Sequence, residues 1–159
     1  MWALLAAGVT GAAGCGASSS QRMGFAADPV ISSGTYRSNG QQIFLTGTSA
    51  SGSPITYQGG PSWMPAPMMM RIACATCHGT DGHGGQVFLF AQSFVAPDIT
   101  WPVLTGPYTD HPPYTVATVE QAITHGIDPG GNPLDPEMPR WSMSASDLND
   151  LVAYLQTLK

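Results

Sequence analysis

The chain has 159 residues, with 5 basic and 10 acidic side chains and a formal net charge of −5. That length suits one domain with extensions, and the lack of any basic cluster argues against nucleic-acid binding. With 19 glycines and 14 prolines, a regular α/β fold is disfavoured; short helices separated by irregular loops are expected, packed around something larger than their own side chains.

Taken in chain order, residues 2–14 (WALLAAGVTGAAG) form an apolar run ending in small residues, too short to span a bilayer. Residues 1–14 therefore read as a signal peptide and the mature chain as exported. Ala12-Ala13-Gly14-Cys15 resembles the lipobox of bacterial lipoproteins. That resemblance implies a diacylglycerol on Cys15, which becomes the mature N-terminus on the periplasmic side of a bacterial membrane. Ala12 stands where the motif prefers Leu, and no Lys or Arg precedes the run. The alternative is an ordinary signal peptide, with Cys15 removed or idle. Residues 15–27, opening Gly16-Ala17-Ser18-Ser19-Ser20, read as a flexible tether.

Residues 28–66 read as an N-terminal extension. Two short runs, Gln42–Thr46 and Pro54–Tyr57, carry apolar and β-branched residues between Gly and Ser and predict a small β-hairpin. Residues 67–159 read as the main domain. Its first helix is expected after Pro67, running through Met68–Met70 into Cys74. Gly79 to Pro113 lacks periodicity and predicts loops. Thr118 and Gln121 have capping-box spacing, Val119, Ala122 and Ile123 share a face, and Gly126 is placed to stop that helix. The last helix follows Ser144 and Asp147, with Leu148, Leu151, Val152, Leu155 and Leu158 at helical spacing.

The chemistry concentrates in Cys74-Ala75-Thr76-Cys77-His78. On a helix, positions i, i+3 and i+4 share a face, so both thiols and the imidazole can address one planar ligand. The spacing is that of covalent c-type haem attachment, with His78 as an iron ligand. A thioredoxin-type pair needs a βαβ context, and a zinc site needs two further ligands nearby; of those only His83 is adjacent.

Iron held this way takes a sixth ligand or keeps an open position. Met138, in Asp135-Pro136-Glu137-Met138-Pro139-Arg140-Trp141, is the leading candidate because the flanking prolines limit the backbone. Met64 and Met143 are rivals, and His111 and His125 are possible imidazole ligands. Met68, Met69 and Met70 read as packing residues, with Cu(I) binding as the alternative.

CATCHG, the Met138-Pro139 loop and the final SASDLNDLVAYLQTL segment together resemble a class I, monohaem bacterial cytochrome c over roughly Pro67 to Lys159. The resemblance implies a mainly α fold, a small helical wrap around one haem c whose first and last helices cross. It implies a carbonyl at Pro97 accepting the second N–H of His78, and Trp141 packing near a haem propionate. A plain loop proline and a core tryptophan are the alternatives. The expected activity is electron transfer with His/Met ligation between redox proteins, as a carrier or as a haem subunit of a respiratory membrane complex. A haem enzyme or gas sensor with an open distal site is the alternative.

Overall fold

Ser38 opens the first helix, its side chain accepting the Gln41 N–H at 3.1 Å. Helix α1 (Asn39–Thr46) ends at Gly47, which adopts the left-handed conformation at φ 68°. The structure, a computed structural model, describes residues 35–61, 72–89, 92–107 and 111–159. The signal peptide, the tether, Cys15, Met64 and Met68–Met70 lie outside the described residues.

Helix α1 overturns the expected hairpin. Gln42–Thr46 makes up the last five of its eight residues, and the strand-favouring Ile43 and Phe44 are fully buried. Local β preference is weak against a capped helix whose apolar face finds a partner. Thr56 and Tyr57 do enter a strand, β1 (Thr56–Gln58). It pairs with a strand near the other end of the chain, Arg140–Ser142, antiparallel with Tyr57 opposite Trp141.

The partner of α1 is the last helix, Ala145–Leu155, capped by Ser144 as expected. At their crossing Gly40 is buried, and a Cβ there would overlap the Asp150 carbonyl. Phe44 tilts against Tyr154 with ring centroids 5.3 Å apart. Residues 35–61, read from the sequence as an extension, thus supply the first helix of the unit Thr35–Lys159.

The expected helix over 68–74 is also corrected where it is described. Ala73 is extended (φ −132°, ψ 166°), so helix α2 (Cys74–His78) begins at the motif itself. The Thr76 hydroxyl accepts the Ala73 N–H at 3.0 Å and so holds the turn from outside. Gly79 to Pro113 is more than loop. Strands β2 (Gly85–Leu89) and β3 (Gln92–Ala96) form an antiparallel hairpin, and α3 (Trp101–Leu104) follows. Gly84, at φ 66°, lets the hairpin start pass against the Ala96 and Pro97 carbonyls, where a Cβ would overlap both.

Helix α4 (Val116–His125) starts one turn before the expected cap. Thr115 accepts from the Thr118 N–H, and the Thr118 hydroxyl accepts from Thr115 in return. Gly126 ends it, as expected, at φ 66°. Strand β4 (Arg140–Ser142) and α5 (Ala145–Leu155) complete the chain, both packed on α4. The result is a small, mainly helical fold with, among the described residues, two two-stranded sheets. Its core joins Ile43 and Phe44 to Val119, Ile123, Leu151 and Leu155. Among the described residues no helix is long and apolar enough to cross a membrane.

Candidate functional site

Cys74, Cys77, His78, Pro97, Met138 and Trp141 all border one cavity of about 460 Å³. Close-packed interiors hold few voids larger than a water molecule, whereas ligand sites run from roughly 300 to 1,000 Å³. A space of this size in a small core is built for a bound group. Val119 and Ile123 of α4 and Leu151 and Leu155 of α5 form apolar parts of its wall, a lining suited to a flat apolar macrocycle.

Helix α2 delivers both thiols and the imidazole from little more than one turn. Burial pushes the Cys74 thiol up to about 12. Burial also raises Cys77, and the nearby Glu137 carboxylate raises it further. Redox-active and zinc-binding cysteines need the opposite, a stabilised thiolate. Among the described residues no group of three or more His, Cys, Asp or Glu is placed to hold a metal ion.

Nδ1 of His78 lies 2.9 Å from the Pro97 carbonyl oxygen. A carbonyl only accepts, so Nδ1 carries the proton and Nε2 keeps its lone pair. Burial lowers the His78 pKa, with the Pro97 hydrogen bond opposing, so the ring is neutral near pH 7. A neutral imidazole oriented through its second nitrogen is the form that ligates a metal. The Gly84 N–H donates to the His78 carbonyl at 2.8 Å, tying the end of α2 to the strand entry beside Pro97.

Met138 reaches the cavity from the loop between α4 and β4, its N–H donating to the Asp135 carbonyl at 3.1 Å. Trp141 is buried and tilts against Tyr57, centroids 5.0 Å apart. Of the rivals, Met143 packs on the core cluster. His125 is exposed at the end of α4, bonded to the Thr124 hydroxyl. His83 is exposed and pairs with Asp98 at 2.9 Å. His111, by contrast, stands on the cavity wall, edge-on to Tyr114. Glu137 lines the cavity and Arg140 binds carbonyls of the Met138 loop beside it, and neither was singled out from the sequence. Their clue was position, one residue before Met138 and two after it.

The cytochrome c family model matches residues 38–159, from the cap of α1 to the last residue. The chain belongs to the cytochrome c family. Nothing among curated proteins or solved structures matches it. Members of the family carry haem c, and the match encompasses a single attachment motif and a domain of single-haem size, so this cytochrome c binds one covalent haem with its iron. The residues present fit that group: two neutral thiols, a neutral imidazole and an apolar cavity of adequate volume. The haem supplies one-electron exchange at iron, and the family's general role is electron transfer rather than catalysis.

Proposed function

We propose that this cytochrome c is a class I electron carrier in which Cys74 and Cys77 attach the haem and His78 and Met138 are its axial ligands. The supporting observation is that Met138 and His78, the latter with a neutral imidazole, line the same cavity. Two fixed ligands let iron change oxidation state with little rearrangement, and a neutral thioether favours the reduced state. Trp141, buried on the same wall, is proposed to pack against the haem periphery. The partners are redox proteins of a respiratory chain, one donating and one accepting electrons.

Near-infrared absorption of the oxidised protein tests the ligand pair. The weak sulfur-to-iron band is expected in the natural protein and absent from Met138→Ala, whose midpoint potential also falls. A band that survives the substitution removes Met138 from iron and makes another methionine, Met64 or Met143, the next ligand to test; a natural protein without the band points to His111 instead. Rapid carbon monoxide binding by the reduced natural protein favours an open-site enzyme or sensor instead.

The proposed location is the periplasmic side of a bacterial membrane, with the chain anchored by lipid on Cys15. The Ala12–Cys15 motif supports it. Intact mass of the mature protein is expected to begin at Cys15 and to carry one haem and a lipid. A start elsewhere, or an unmodified Cys15, returns the chain to a soluble exported form.

A further inference from the structure

Arg140 stands at the start of β4, yet its guanidinium turns back over the preceding loop. Nη2 donates to the Leu134 carbonyl at 2.9 Å. Nη1 donates to the Asp135 carbonyl at 3.2 Å and to the Met138 carbonyl. Three carbonyls of one five-residue stretch thus converge on a single planar cation. Among the described residues the sole ion pair is His83 with Asp98, so no carboxylate competes for this guanidinium.

The surroundings are shaped for that arginine. Gly126, at φ 66°, ends α4 where a Cβ would overlap Nε and Cζ of Arg140. Strand β1 fixes the other side: Gln58 pairs with Arg140, and the Gly60 N–H donates to the Pro136 carbonyl at 3.2 Å.

We propose that Arg140 is a positioning residue that holds Met138 at the cavity wall by gathering the carbonyls of its loop. The inference rests on Met138 being the axial ligand proposed above. Pro136 and Pro139 restrict their own φ angles, but the remaining dihedrals of the loop stay soft. A rigid fork of donors ties together what proline leaves free, and charge-assisted bonds to carbonyls are stronger than neutral ones. For Met138 to leave, the loop must break those bonds.

The test uses oxidised holoprotein and imidazole as the competing ligand, comparing the natural protein with Arg140→Lys, Arg140→Gln, Gly126→Ala and Met138→Ala. Imidazole is expected to bind Arg140→Gln at least about tenfold more tightly, tenfold being roughly the effect of losing a single charge-assisted bond. Arg140→Lys, which keeps the charge and loses the fork, falls between. Gly126→Ala displaces the arginine without altering it and is expected to shift binding in the same direction. The haem stays attached in all four variants, read by mass. Should Arg140→Gln misfold by far-ultraviolet circular dichroism, the lysine and Gly126 variants decide alone.

Unchanged imidazole affinity with an intact sulfur-to-iron band in the folded Arg140 and Gly126 variants overturns the role of Arg140 and leaves the ligand reading standing. A natural protein without the band, or a band indifferent to Met138→Ala, overturns the ligand reading and this inference with it.

Discussion

Cys74→Ala combined with Cys77→Ala is expected to give a chain whose denatured mass is that of the polypeptide alone and whose tertiary structure is lost. The covalent part follows from the two thiols, since no other described cysteine exists to replace them. The structural part follows from the cavity. Val119, Ile123, Leu151 and Leu155 belong at once to the core and to the cavity wall, so an empty site leaves the core hollow. At about 24 cal/mol per Å³, a void of about 460 Å³ costs on the order of 10 kcal/mol. Domains have roughly 5–15 kcal/mol of stability in all. Water entering from the open side reduces the cost, yet the remainder still rivals the whole. His78 survives in this variant and can hold haem non-covalently, so mass is measured after denaturation and tertiary structure by near-ultraviolet circular dichroism after extraction. Haem that resists extraction places the attachment elsewhere. A haem-free variant with a native near-ultraviolet spectrum shows that the cavity is not part of the core.

The parts of the fold legible in the sequence were those whose cause is local. Ser144 and Asp147 announce the start of α5 because the cap and its partner lie three residues apart, and Gly126 announces the end of α4 because the left-handed conformation is needed there. Cys74, Cys77 and His78 converge on the cavity through the period of a single helical turn. Pro97 came from the family resemblance rather than from any pattern in its own neighbourhood.

What escaped the sequence depends on distant partners. Ile43 and Phe44 look like strand residues, and only the face of α5, more than a hundred residues further on, makes a helix of them. The first helix of the crossing pair is α1, and the helix that carries the motif starts only at Cys74, because Ala73 is extended. Strand β1 pairs with β4 across nearly the whole domain, a register that no local turn encodes. Strands β2 and β3 lie among glycines that were read as loop, although one of those, Gly84, exists to let strand and loop carbonyls approach. Arg140 was invisible for a related reason: its three acceptors are backbone atoms, which have no identity in a sequence.

Asp147→Ala is expected to destabilise the domain by about 3 kcal/mol at neutral pH, judged from the loss of several hydrogen bonds to a charged group. Asp147 is 2% exposed, an unusual place for a carboxylate, and its surroundings explain why it stays there. Ser49 Oγ donates to it at 2.6 Å, Asn39 Nδ2 at 2.9 Å and Ser144 Oγ at 2.8 Å. The one side chain therefore joins the first turn of α1, the loop that follows α1 and the cap of α5, the same two helices that cross at Gly40. Asn39 retains a second acceptor in Asp150 at 2.8 Å, so the loss falls mainly on Ser49 and Ser144. The hydrogen bonds from Ser49 and then Asn39 hold the carboxyl below its ordinary value, against the opposing effect of burial. A depressed folded-state pKa contributes stability that is complete above the unfolded value, near 4, and is lost as pH falls through the folded one. The difference between natural protein and variant should accordingly be full at pH 7 and narrow only in acid below about pH 4. Denaturant titrations at several pH values read it directly. Acid effects on the haem ligands are common to both proteins and cancel in the difference. A gap that is small at pH 7, or that widens in acid, shows that the carboxylate is not what joins α1 to α5, and leaves the apolar contacts of Phe44 and Tyr154 to hold the crossing alone.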